Sequence, residues 1–197
     1  MALVLALAML NGGCILIPEM KDRLVELAVG GTTSAVFTVQ GVTTSVNEIQ
    51  IVDVGSQLNL AQILADNGID VSQVTNISLA SVSYRITDKG ADPNPAQEIT
   101  GWNITVQRGA GPIDNLVVGF SAAPGAPSGF QGVPLTAAGV ATINTMLDDI
   151  LGALPGPPAN PTATFRLTGN SLSAPNFEFE LKITVSITGT VQVTVPT

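Results

Sequence analysis

Four oxygen-bearing side chains fall within one short stretch, TDKGADPNPAQE: Asp88, Asp92, Asn94 and Glu98. Carboxylate and amide oxygens gathered on one turn are the ligand type that calcium takes. Their spacing is not that of an EF-hand loop. Arg85 and Lys89 lie close by and offset part of the charge. Asp, Asn, Gly and Pro are also what turns are built from, because they accept turn backbone angles. The stretch therefore reads as a solvated turn, with calcium its candidate ligand.

Other constellations have plainer readings. Asp148 and Asp149 are adjacent acids, but neighbours on a helix point about 100° apart and do not converge for acid/base work. Glu178, Glu180 and Lys182 alternate with Phe179 and Leu181, the polar-out pattern of a half-buried strand. Ser128 lies in APSGF, without the G-x-S-x-G elbow of a hydrolase nucleophile. Trp102 and Tyr84 could line a carbohydrate groove, yet Trp102 falls at a core position of its strand. Asn76 and Asn103 begin Asn-x-Ser/Thr triplets, both inside strand-like segments.

Composition narrows the chemistry. The chain has 197 residues and no histidine, which removes the commonest general base, the Ser-His-Asp and Cys-His systems and most zinc or copper sites. A net charge of −8 argues against nucleic acid, whose binding needs a cationic surplus. A lone cysteine allows no internal disulfide. Charged residues are only 11%, with 20 Gly and 13 Pro, the mix of an extracytoplasmic β-protein. No cofactor is expected.

That cysteine, Cys14, ends the segment MALVLALAMLNGGC, in which an apolar run from Ala2 to Leu10 leads into Asn11 and two glycines. The run is too short to span a bilayer and fits the apolar region of a secretory signal. Gly12, Gly13 and Cys14 resemble the lipobox of bacterial lipoproteins. Asn11 stands where that family has an apolar residue, and no Lys or Arg precedes Cys14. The resemblance implies acylation of Cys14, anchoring the chain to a membrane through an N-terminal lipid. Ile15 is not the Asp that retains such proteins at the inner membrane, so the implied location is the cell envelope, at the outer membrane. A plain secretory signal and a buried core thiol are the alternatives.

The elements downstream follow apolar period. Val25, Leu27 and Val29 alternate, then Gly30-Gly31 reads as a turn before Ala35, Phe37 and Val39. A third strand spans 46–54. Asn59 and Gln62 resemble a capping box for a helix over 60–66, ended by Asn67-Gly68. In the strand over 76–87 the apolar parity switches after Leu79, which predicts a bulge near Ala80 and Ser81. Strands over 99–107 and 115–120 precede a Pro/Gly-rich loop over 121–134.

Thr136 is a plausible N-cap for a second helix. Its stripe of Val140, Ile143, Leu147, Ile150 and Leu151 is either core or a docking face for a partner. After strands at 163–167 and from Phe177 onward, the apolar alternation runs to Val195, long enough to predict a bend or bulge at Gly189.

These elements predict a mainly β fold: an antiparallel β-sandwich, Ig-like or jelly-roll-like, with two short helical inserts. The expected organisation is a signal-like segment 1–13, an anchor cysteine and tether 14–23, and one domain over 24–197. The expected function is a non-catalytic lipoprotein with a structural or protein-binding sandwich. A subunit of an extracellular filament or surface assembly and a carboxylate-dependent secreted hydrolase are the alternatives.

Overall fold

The computed structural model describes residues 23–40, 44–88, 99–122, 129–171 and 176–193. Eight strands run in chain order as β1 (Arg23–Gln40), β2 (Ser45–Asp53), β3 (Val74–Asp88), β4 (Ile99–Arg108), β5 (Ile113–Ala122), β6 (Gln131–Gly132), β7 (Thr162–Ser171) and β8 (Asn176–Val193). The helices are α1 (Val54–Leu58), α2 (Leu60–Asp66) and α3 (Ala137–Ala153), with one 3-10 turn at Val71–Gln73.

The strands form two four-stranded antiparallel sheets, ordered β1-β8-β3-β6 and β2-β7-β4-β5. The first strand pairs the last, the second the seventh, the third the sixth and the fourth the fifth. The chain is thus one long hairpin rolled over on itself, a jelly-roll sandwich. Of the two sandwich types expected, the pairing selects this one.

Alternation explains the core. Phe177, Phe179, Leu181, Ile183, Val185 and Ile187 of β8 are all buried, as are Ala35, Phe37 and Val39 of β1. The facing sheet contributes Trp102, Ile104 and Val106 of β4 and Ala163, Phe165 and Leu167 of β7. Trp102 packs on Phe179 at 4.7 Å between ring centroids and on Phe177 at 6.2 Å. Tyr84 stacks on Phe179 at 5.7 Å and meets Phe120 edge-on at 5.0 Å. These rings join the two sheets.

The parity switch in β3 is a register shift between Leu79 and Ser81 against β8, as expected. The Leu79 N–H donates to Asn144 Oδ1 of α3 at 2.8 Å, so a helix side chain takes up this bulge-flanking donor. Thr136 caps α3, its hydroxyl oxygen accepting the Gly139 N–H at 3.1 Å.

Several expectations are corrected. Gly30 and Gly31 make no turn: β1 runs through them, paired with β8 from Arg23↔Val193 to Gln40↔Asn176. A Cβ on Gly31 would stand 2.5 Å from Leu58 Cδ1 and 2.8 Å from Ile63 Cδ1. The glycine is there because α1 and α2 pack onto this strand. The helix over 60–66 is present, but its expected capping box is not. Asn59, at φ 45°, links α1 to α2 and makes no side-chain cap bond. The capping box belongs to the 3-10 turn, between Asp70 and Gln73.

A bulge does fall at Gly189, as one of the two expected alternatives, but not in β8, which keeps its register with β1 there. The irregularity lies in its partner, between Val74 and Asn76 of β3. At Gly189 a Cβ would stand 3.2 Å from the Gln73 carbonyl oxygen, so the residue admits the 3-10 turn against the sheet.

Candidate functional site

The α3 stripe is core. Ile143, Leu147 and Ile150 are buried, with Met146 beside them, and Val140 and Leu151 are half-buried. The helix packs on β3, β4 and β5. The docking-face expectation is corrected: the sandwich itself occupies this surface. Trp102 is 1% exposed, so it lines no carbohydrate groove, and Tyr84 packs with it in the aromatic cluster. Burial raises the Tyr84 pKa above its ordinary 10.0.

The acids come apart rather than together. Glu180 Oε2 accepts from Arg85 Nη2 at 2.5 Å, across the β8–β3 pair. Arg85 and Lys182 each stand over the Phe130 ring, at 4.9 and 5.1 Å from its centroid. The Glu178–Glu180–Lys182 ladder is therefore outward-facing, with Phe130 laid across one end. Asp149 pairs with Arg108, and Asp148 is exposed.

Asp53 N-caps α1. The Ser56 N–H at 2.9 Å, then its hydroxyl at 2.8 Å, hold the Asp53 carboxyl below its ordinary pKa. Asp70 is lowered in the same way by the hydroxyl and N–H of Ser72.

Asp92, Asn94, Glu98, Ser128 and Cys14 lie outside the described residues, and Asp88 ends β3. Among the described residues no group of three His, Cys, Asp or Glu gathers to hold a metal, and no helix is long and apolar enough to cross a membrane. Asn76 and Asn103 both sit within strands.

Three concavities were not legible in the sequence. One, of about 510 Å3, lies where the turn Arg108–Gly111 meets Thr142 and Thr145 of α3 and Asn160 of the connector to β7. Thr142 donates to Asp114 at 2.5 Å, and Gln107 Nε2 to the Gly111 carbonyl at 2.9 Å. Arg108 borders a second hollow beside Asp148 and Asp149.

The third concavity is a shallow hollow of about 420 Å3 on the outer face of the β2-β7-β4-β5 sheet, bordered by Ser45, Asn47, Asn103, Arg166, Thr168 and Asn170. It sits where β4 departs from regular pairing with both neighbours around Gly101 and Trp102. Gly101 and Gly119 have φ of +64° and +67°, open to glycine without strain. Asn103 bridges them: its Nδ2 donates to the Gly101 carbonyl at 3.2 Å and its Oδ1 accepts the Gly119 N–H at 3.1 Å. Bulges commonly re-aim side chains beside sites. The spacing Gly101…Asn103…Gly119 was the available signal, but only pairing reveals its meaning.

No family model matches the chain, and no curated protein matches it in sequence. A solved structure titled Desmodium yellow mottle tymovirus overlays at a TM-score of 0.35 with 11% identity, covering 100% of this chain and 98% of that one. That overlay is too loose to bear on function.

Proposed function

We propose that the chain is a lipid-anchored protein of the bacterial cell envelope, with a jelly-roll domain that serves as a non-catalytic structural or binding module. The observation that carries this reading is the apolar run Ala2 to Leu10 ending in Gly13-Cys14. Acyl chains on Cys14 would hold the chain at ~0.8 kcal/mol per buried methylene, two chains or more giving stable anchoring. Ile15 favours the outer membrane. The module reading draws on how the described acids are used: Glu180 and Asp149 are ion-paired, and Asp53 and Asp70 cap helical turns. A hydrolase would need two carboxylates facing across a cleft, roughly 5–10 Å apart. Jelly rolls serve as lectin, capsid and cupin domains alike, so topology alone selects no function.

The test is an intact mass of the mature protein with membrane fractionation. An acylated Cys14 is the expected result, and Cys14→Ser releases the chain or leaves it unprocessed. An unmodified Cys14 in a protein that fractionates unchanged after Cys14→Ser overturns the proposal.

One observation favours assembly of copies into a filament or surface layer as a second reading. β2 is a nine-residue edge strand without proline or lysine, and Ile49 and Ile51 on it are 51% and 66% exposed. Such an edge is open to pairing with a second copy. Size-exclusion and electron microscopy decide it: assemblies that Ile51→Lys dissolves support the reading, and a monomer at all concentrations overturns it.

A further inference from the structure

We infer that the hollow on the outer face of the β2-β7-β4-β5 sheet is a binding site for a carboxylate-bearing saccharide. The inference rests on reading the domain as a binding module, and it is independent of lipidation.

Charge comes first. The chain carries −8 overall, yet among the described residues the one acid on the outward parity of β2, β7 and β4 is Asp53, at the end of β2 away from the hollow, where its carboxylate caps α1. β2 presents Asn47, Ile49 and Ile51, β7 presents Thr164, Arg166, Thr168 and Asn170, and β4 presents Asn103, Thr105 and Gln107. Arg166 is the charge that borders the hollow. Arg85 and Arg108 each have a carboxylate partner, and Lys182 has the Phe130 ring. Arg166 has neither among the described residues. An anion meets no acid in the lining of the hollow, beside a guanidinium that gives up no ion pair to receive it.

The chemistry of the lining sets the rest of the ligand. A guanidinium is a planar fork that matches a carboxylate with two parallel bonds. The amides of Asn47 and Asn170 and the hydroxyl of Ser45 both donate and accept, as sugar hydroxyls do, and Thr168, whose hydroxyl donates to the Asn103 carbonyl at 3.5 Å, accepts. Gly101 and Gly169 border the hollow without side chains, so a ring can approach the backbone. Ile49, the cross-strand neighbour of Arg166, adds apolar surface on the edge side for the C–H face of a sugar. The volume of about 420 Å3 lies in the range of small-molecule sites and is open to one side, as an oligosaccharide end needs. Asn103 has both its amide nitrogen and its amide oxygen engaged by backbone. It holds the Gly101–Gly119 kink and is a positioning residue.

The experiment titrates the full chain, in detergent micelles, with trigalacturonate and follows backbone amide resonances. Shifts confined to Asn47, Gly101, Arg166, Thr168 and Gly169 are expected, and they are unchanged by Cys14→Ser, which separates this site from the anchor. Arg166→Ala weakens binding at least tenfold, and Asn47→Ala, exposed on the edge strand, weakens it several-fold with the spectrum otherwise intact. Maltotriose, the neutral control, binds at least tenfold more weakly than trigalacturonate. No shift at these residues overturns the inference, as does equal binding of maltotriose. Equal competition by inorganic phosphate marks a general anion contact and overturns the saccharide assignment.

Discussion

Gly139 of α3 lies directly against Leu116 of β5: a Cβ on the glycine would stand 2.5 Å from Leu116 Cα and 2.6 Å from the Asn115 carbonyl oxygen. The neighbours are backbone and cannot rotate away. Gly152, near the other end of the helix, has no atom within 4 Å of its Cβ position. The same substitution therefore has opposite signs in one helix. Gly139→Ala costs about 1–3 kcal/mol as overpacking, and Gly152→Ala stabilises by up to about 1 kcal/mol through helix propensity. Urea melts of the two variants check this, and equal effects would be evidence against the packing of α3 on β5.

Leu147 is 0% exposed. Leu147→Ala is expected to cost about 2–5 kcal/mol, the loss typical of a buried leucine. A change under about 1 kcal/mol in a denaturant melt would mean the stripe is not core and would reopen α3 as a docking face.

The Asp53 cap carries a pH dependence. Its folded pKa lies below the ordinary 3.8 because the Ser56 N–H and hydroxyl favour the charged form. The carboxylate's contribution is therefore complete above the unfolded value and fades as pH falls through the folded one. Asp53→Ala is expected to cost about 0.5–2 kcal/mol at pH 7, with the gap to wild type narrowing below pH ~4. Asp53→Asn, itself a good cap, keeps most of the stability and loses that slope. A gap that stays constant down to pH ~2 counts against the charged cap.

Trp102 is the sole tryptophan and is 1% exposed. Its fluorescence is expected to be blue-shifted and insensitive to iodide, and to redshift in one step with unfolding. Iodide quenching of the native protein comparable to that of free tryptophan would contradict its place between Phe177 and Phe179.

Local chemistry was sufficient where an element answers to its own residues. The errorless alternation from Phe177 identifies β8, the parity switch after Leu79 locates the β3 bulge, and Thr136 with its apolar stripe defines α3. Cap, period and parity act over a few residues and leave their mark in order along the chain. Where a residue answers to something far away, the tertiary structure decided. Gly31 is small because Leu58 and Ile63 occupy the space above it, and Gly189 because the 3-10 turn does. Neither glycine differs in sequence from one that makes a turn.

The same holds for the hollow at Arg166. Asn47, Asn103 and Arg166 meet only because β2, β7 and β4 pair in one register. Register is set by matching two inward faces across the sandwich, a property of all eight strands together.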